Sequence, residues 1–514
     1  MTITSPVTLP EHHPFTGRSV ASVSARRFER FAERTFLIWE PLEGEGASWT
    51  YAEFGQTVDR VAAGLVQRGV RAGDPVLLLV ENSPAFLMAW FACARIGAVA
   101  VDTNTRYAPD EIDHAVALTE PVGIITHSHL LERLGANTEN RWVVLVDETT
   151  STLPDLEAAS DHLPAVEDLD PGDPLCIQFT SGTTSRPKAA LYTHANALWA
   201  GMVGVAHGRV DADDVSLVYA PLFHTMALFW QTMPTFWAGG TVVLMPRYSA
   251  SRFWDVATRR HCTRTFFQEI VAATAPDELP PHSFRYFISG AELPAVEQRF
   301  GVRIQTCWGM TEVVTNVLAG DLDEPGTPKS IGRVSPEYSV DIVDIPESSD
   351  DPAEGELRVG GIRGLSLFAG YHRNAEATAE GFDEEGRWKT GDLVRRLPTG
   401  EIRFVSRAKD MLRVGGENVA AAEIERVLQL DPEVMVASVV GIPDPIRGEI
   451  PIGFIISNTA DPDALAERLI TTCAAQLADF KVPRRIHFID ELPESLIGKT
   501  SKKLLRERAI ELAR

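Results

Sequence analysis

The sequence predicts a large α/β domain of stacked, mostly parallel sheets with a small β-subdomain, followed by a small α+β domain at the C-terminus. Three observations carry that expectation. Short β-rich runs alternate with helical patterns through the first two thirds of the chain, the pattern of parallel strands covered by helices. From about residue 337 the strands shorten and glycines and acidic residues become frequent. After Ser406 a compact α+β pattern takes over, so a boundary is expected near 406–410, dividing 1–406 from 407–514. A chain of 514 residues also exceeds what one ordinary domain holds.

The elements follow in order. "PVLLLV" (75–80) reads as a strand, residues 84–95 as an apolar helix, and "AVAVD" (98–102) as the next strand. The apolar run that contains the helix is interrupted by Arg95 and is too short to cross a bilayer, so it belongs in a core. Further strands are expected at "VGIIT", "RWVVLVD", "PLCIQFT", "VSLVYAP", "GTVVLMP", "RTFFQ", "FRYFISG" and "RIQTCWG". The last domain offers a helix at "AAAEIERVLQL", strands at "VMVASVVGI" and "IGFIIS", a helix at "ADPDALAERLITTCAAQL", and a basic tail.

Composition narrows the function classes. The apolar share is 44% and the charged share 23%, as in a soluble globular protein. With 48 basic and 71 acidic side chains the net charge is −23, which argues against a nucleic-acid or anionic-membrane surface. The five cysteines are scattered and odd in number, without zinc-type spacing, and point to a reducing, cytoplasmic setting. The first residues lack a basic segment followed by an apolar one, so no signal peptide is expected.

The most informative stretch is "FTSGTTSRPKAAL" (179–191), placed after a strand, where α/β folds put ligand loops. One reading is a phosphate cradle: Gly182 permits close approach, Ser181, Thr183, Thr184 and Ser185 offer hydroxyls, and Lys188 adds a positive charge. It is not a Walker A loop, because Pro187 stands where that motif has glycine. A second reading takes Ser185–Lys188 as S-x-x-K, with Lys389-Thr390-Gly391 as its K-T-G partner; Gly182 and Pro187 oppose the helix this needs, and no S-D-N element occurs. A third is a plain polar loop.

Other segments bear on the choice. "CWGMTE" (307–312) sets the Thr311 hydroxyl beside the Glu312 carboxylate, a pair suited to Mg²⁺ bridging phosphates, though also readable as a strand end with a helix cap. "WKTGDL" (388–393) offers Asp392 for sugar hydroxyls, or is simply a turn. "SRAKDMLRVGGENVAAAEIE" (406–425) has a basic start and a Gly415-Gly416 turn, and "ESLIGKTSKK" (494–503) carries Lys499.

In this order and spacing, from "SWTYAEF" (48–54) to "GKTSKK", the segments resemble the adenylate-forming superfamily: acyl-CoA synthetases, peptide-synthetase adenylation domains and luciferases. The acyl-CoA ligase branch is the most similar, through "PLFHTMAL", "GIPDPIRGEIPIGFII" and "FKVPRRIHFIDELPESLIGK". "FTSGTTSRPK", "RYSASRFW" and "SIGRV" resemble the crotonobetaine/carnitine-CoA ligases in particular.

The resemblance implies the adenylate-forming fold and ATP-dependent formation of an acyl-AMP, followed by thioester formation with coenzyme A. It leaves open a carrier-protein thiol, an amine, or nitrite activation of diazotase type. It implies ATP, Mg²⁺ and coenzyme A as ligands and a small or medium carboxylic acid, with a polar or cationic group, as substrate. A monomer or homodimer is expected, with no nucleic-acid or membrane partner. Residue by residue, Thr180, Ser181, Gly182, Thr183, Thr184 and Lys188 would surround the phosphates. Ser289, Gly290, Ala291, Glu292, Trp308 and Gly309 would flank the adenine, with Met310 also among the ATP-binding residues. Thr311 would meet the α-phosphate, Glu312 the Mg²⁺, and Asp392 the ribose, with Arg407 close by. Lys499 would be the adenylation lysine and Lys409 the hinge of a rotating small domain. Gly415, Gly416 and Glu417 would approach the acceptor, and Phe223, His224 and Met226 the acid pocket.

Overall fold

The computed structural model describes residues 2–157, 169–180, 187–268, 271–272, 274–343, 353–407, 411–457, 459–489 and 502–513. Two large sheets organise the first part of the chain. In the seven-stranded sheet, Trp142–Leu145, Gly123–Thr126, Pro75–Leu79, Val99–Asp102 and Pro174–Thr180 run parallel, and Lys188–Thr193 and Gly370–Tyr371 add antiparallel at one edge. In the nine-stranded sheet, Thr35–Trp39, Thr241–Leu244, Val215–Val218, Arg264–Phe266, Tyr286–Ser289 and Arg303–Trp308 form a parallel centre with short antiparallel strands at both edges. Strands such as Pro75–Leu79 are buried throughout, which is why they read as continuous apolar runs.

The helix Pro84–Ile96 is apolar all round and buried along its length apart from Arg95, as a helix inside a core must be. It ends at Gly97, whose φ of 72° is the left-handed cap that glycine accepts without strain. Its Phe91 packs on Phe36 and Phe236, so one cluster joins both sheets. A four-stranded antiparallel sheet follows, ordered Ser339–Val343, Glu354–Gly360, Trp388–Arg396, Ile402–Arg407. This is the expected β-subdomain.

From Met411 the chain enters a separate sheet of Glu417–Ala420, Met411–Val414, Gly448–Ser457, Val434–Asp444 and Arg485–Phe488. Helices Ala421–Leu428 and Pro462–Gln476 cover it around their own core. The basic tail departs from expectation, because Lys502–Leu512 is a helix. Leu505 and Ala509, one turn apart, are buried with Val440, Ile442 and Phe454, and that apolar stripe docks the helix while its charges stay outside.

The C-terminal part packs against the first through buried charge. Lys481 donates to Glu423 Oε1 at 2.9 Å and to Glu111, which belongs to the helix Pro109–Thr119 of the large domain. All three side chains are buried. Glu111 also accepts the Ala108 N–H at 2.9 Å, capping its own helix, and the Ala478 N–H at 3.0 Å. Nearby, Arg106 pairs with Asp479 at 2.8 Å and lies over Phe480.

Candidate active site

Parallel strands aim their carboxyl ends at one edge, and the candidate residues gather there. Arg303–Trp308 ends in Trp308, and Gly309 and Met310 lead into a short turn at Thr311–Val313. A Cβ on Gly309 would lie 2.5 Å from the Thr315 carbonyl and 2.8 Å from Trp230, so only glycine fits. Val314 then takes φ 65° and ψ −50°, with the Thr315 N–H donating to the Val313 carbonyl at 2.7 Å. Such a γ-turn is rare, and for a β-branched residue it stores about 1–3 kcal/mol. The Trp230 indole N–H secures it by donating to the Val314 carbonyl at 2.9 Å.

That turn delivers Thr311 and Glu312. The Thr311 carbonyl accepts the Tyr192 hydroxyl at 2.5 Å, and its hydroxyl lies 3.4 Å from Thr225 Oγ1. Thr225 in turn donates to Gln178, whose amide reaches Asp102 at 3.5 Å. Burial pushes the Asp102 carboxyl well above its ordinary range. Glu312 is 4% exposed and accepts the Tyr371 hydroxyl at 2.6 Å. Lys188 Nζ lies 4.8 Å over the same Tyr371 ring, so one tyrosine contacts both the cation and the carboxylate. Thr180 and Lys188 stand opposite each other across two strands. The expected cradle residues between them, Ser181, Gly182, Thr183 and Thr184, lie outside the described residues.

Asp392 enters from the four-stranded sheet. Its carboxylate accepts the Trp308 indole N–H at 3.0 Å, so Trp308 orients the group expected to meet a ribose. Gly391 turns the chain there with φ 70°. The backbone of Arg407 is paired directly opposite Asp392. Ser289 closes its strand, Gly290 and Ala291 follow at the surface of the site, and Glu292 turns inward. Burial, with Glu297 adding to it, pushes the Glu292 carboxyl up to about 7.

The hairpin formed by Met411–Val414 and Glu417–Ala420 reaches the same edge. Gly415 and Gly416, at φ 61° and 86°, make its two-residue turn, which needs left-handed backbone at both positions. The Gly416 Cβ position is 3.4 Å from Gln268, Arg413 approaches Gly290, and Glu417 accepts from Asn104 at 3.4 Å. His224 lies within the field of Glu417 and Arg413, and burial lowers its pKa below the ordinary histidine value. Met226 is half-buried on the same side, while Phe223 is packed into the main core. Lys409 and Lys499 lie outside the described residues. Beside the hairpin a cleft of about 780 Å³ opens between the two parts of the chain, with Arg106, Arg133, Arg447, Arg484 and His129 on its walls together with Glu81 and Asp479, the latter paired with Arg106.

Sequence reasoning does not single out Tyr371, Gln178, Thr225 or Tyr192, and it offers Trp230 only as a candidate pocket residue, not as a hydrogen-bonding support of the site. The one signal was a polar Gln178 inside the apolar strand run "PLCIQFT". Their roles depend on residues brought from distant parts of the chain.

Among the described residues no group of three or more His, Cys, Asp or Glu stands together as a metal site. A hydrogen-bonded buried carboxylate at Glu312, next to the Thr311 hydroxyl, still fits Mg²⁺, which usually takes one or two protein carboxylates and completes its shell with phosphate and water oxygens.

The family model for the AMP-binding enzyme matches residues 24–372, and that for the AMP-binding enzyme C-terminal domain matches 423–499. A crotonobetaine/carnitine–CoA ligase of Salmonella paratyphi A (strain ATCC 9150 / SARB42) is 32% identical over 507 residues, spanning 93% of this chain and 97% of the relative. ATP-bound MatB from Rhodopseudomonas palustris is 26% identical with a TM-score of 0.68, covering 96% of this chain and 100% of that one. The o-succinylbenzoate CoA synthetase MenE from Bacillus subtilis, bound with its product analogue OSB-NCoA, shares the fold with a TM-score of 0.81 at 24% identity, over 94% and 98% of the two chains.

Proposed function

Because the chain belongs to the family of AMP-binding enzymes, we propose that it activates a carboxylic acid with ATP and transfers the acyl group to coenzyme A. The observation that carries the reading is the convergence of Lys188, Thr311, Glu312 and Asp392 at one strand edge, with the Gly415-Gly416 hairpin closing over it. In the first step a carboxylate oxygen attacks the α-phosphorus and pyrophosphate departs. In the second a thiolate displaces AMP from the acyl carbon. Negative charge grows on phosphoryl oxygens in the first step, so positioned donors and cations do most of the catalytic work.

Lys188 and the hydroxyls of 180–184 hold the β- and γ-phosphates, and Thr311 donates to the α-phosphate. Glu312, oriented by Tyr371, would hold Mg²⁺, which when bound neutralises phosphate charge. Asp392, oriented by Trp308, accepts from the ribose hydroxyls. Ser289 to Ala291, Gly309 and Met310 border the adenine, and Lys499 bridges the acid and the α-phosphate. The domain boundary lies across 407–410, with Lys409 at the pivot. Coenzyme A as acceptor is supported by the cleft, where Arg133, Arg447 and Arg484 stand in addition to the Arg106–Asp479 pair and could meet the phosphates of its nucleotide. No described helix is long and apolar enough to cross a membrane. The five cysteines, buried and unpaired, support a reducing, cytoplasmic setting.

The test is ATP–pyrophosphate exchange over a panel of acids, with and without coenzyme A. Exchange together with a coenzyme A thioester product is expected, and Lys499→Ala should abolish exchange while sparing thioester formation from supplied acyl-AMP. Exchange without any coenzyme A product would defeat the acceptor assignment.

A further inference from the structure

The helix Pro109–Thr119 covers the seven-stranded sheet that carries Thr180 and Lys188. Its Ile112 and Val116 are buried in one cluster with Leu77, Ile124, Ala189 and Ala369, so strands of that sheet hold its inner face. Its first turn is closed by Glu111, which accepts the Ala108 N–H at 2.9 Å. A helix seated and capped in this way is a rigid platform for the side chains that leave it. His114 is one of these, half-buried between the two apolar anchors.

The His114 Nε2 lies 3.0 Å from the Pro187 carbonyl, 73 positions along the chain. A carbonyl only accepts, so Nε2 carries the proton and donates it. Proline has no N–H, so that carbonyl is the backbone group through which Pro187 can be tied. The next residue is Lys188, paired with Thr180 across the two strands. Its Nζ lies 4.8 Å over the Tyr371 ring, and the Tyr371 hydroxyl holds Glu312. A flexible four-carbon stem places its ammonium only as well as its backbone is placed. The imidazole fixes the backbone from which the phosphate cation springs.

We propose that His114 is a positioning residue for the triphosphate: by holding Pro187 it sets Lys188 for the β- and γ-phosphates of ATP. This rests on the ligase reading above and adds a residue to its phosphate subsite. The contribution falls on ATP and pyrophosphate and spares AMP, which carries neither of those phosphates. It spares the acceptor step as well, because the acyl-AMP has already lost them. The same helix end offers a second tie, from Arg373 to Glu120 at 2.8 Å, two residues past Tyr371. Both partners of that pair are solvent-exposed, so it carries little.

The test is equilibrium binding of ATP and of AMP in the presence of Mg²⁺, with exchange kinetics beside it. The variants are His114→Ala, His114→Gln and His114→Asn, with Glu120→Gln as a control on the same helix end. His114→Ala should weaken ATP binding about fivefold, and raise the KM for ATP and pyrophosphate alike, as for one lost hydrogen bond. AMP affinity, the KM for the acid and thioester formation from supplied acyl-AMP should stay within about twofold, since no phosphate held by Lys188 is involved. A glutamine amide N–H extends toward the position of Nε2 and can donate to the same carbonyl, so His114→Gln should restore ATP binding. The shorter His114→Asn should behave as His114→Ala, and Glu120→Gln as the wild type. Equal losses for ATP and AMP, no loss in any His114 variant, or no advantage of glutamine over asparagine overturns the proposal. If His114→Ala does not fold, the glutamine and asparagine variants decide. The expected ATP pattern without exchange for any acid overturns the ligase reading and leaves the role of His114 standing; wild-type protein that binds no ATP overturns both.

Discussion

Glu111→Gln should slow the coenzyme A half-reaction while leaving adenylation nearly intact. Glu111 is a residue of the large domain whose carboxylate serves the small one. One oxygen takes Lys481, and the other takes the N–H groups of Ala108 and Ala478. An amide has one oxygen, so whichever way it turns an NH₂ faces a donor. Hydrogen bonds to charged groups contribute about 1.5–3 kcal/mol, so a loss of about 2 kcal/mol of docking is expected. At 1.4 kcal/mol per decade, that is roughly a thirtyfold fall in occupancy of the docked arrangement. Lys481 retains Glu423, so the small domain should still fold. The assay follows thioester formation from supplied acyl-AMP and, separately, ATP–pyrophosphate exchange. The contact holds the small domain with its Gly415-Gly416 hairpin, the segment expected to approach the acceptor, at the site; equal losses in both half-reactions, or no loss in either, would refute the link between this contact and the acceptor step.

Tyr371→Phe keeps the ring under Lys188 and removes only the hydroxyl on Glu312; ATP–pyrophosphate exchange should fall about tenfold or more, as for a lost hydrogen bond to a charge. Gly309→Ala drives a Cβ against Thr315 and Trp230; exchange should nearly vanish, and a variant with wild-type kcat/KM would show that the turn behind Thr311 is not required. Glu292 keeps its proton to about pH 7 in the fold, against an ordinary 4.5. The folded state then binds more protons than the unfolded one across that window, so stability falls as pH rises through it, by at most about 3 kcal/mol. Urea midpoints at pH 5 and pH 8 should show this fall in the wild type and less of it in Glu292→Gln.

Much of the fold was legible because its signals are local. Continuous apolar runs such as "PVLLL" can only be strands covered on both faces, and the apolar helix at 84–96 can only lie in a core. The tail helix at 502–512 was missed because its buried stripe is two residues, Leu505 and Ala509, among charges. The chemistry-bearing residues were legible as a family pattern of hydroxyls, carboxylates and glycines. Their orientation was not. Tyr371 reaches Glu312 over 59 positions, Trp308 reaches Asp392 over 84, and Gln178 meets Thr225 over 47.

The sequence by itself therefore determined the architecture, the order of the domains and the kind of reaction, because strand burial, helix periodicity and motif order are written along the chain. The tertiary structure decided what each group faces. It tied Lys481 to Glu111 across two domains and left Arg264 buried with donors open. An arginine in "CTRTFF" carries no mark of burial. Only the packing of Trp230, Tyr286 and the end of the helix His194–Gly208 around it removes it from water.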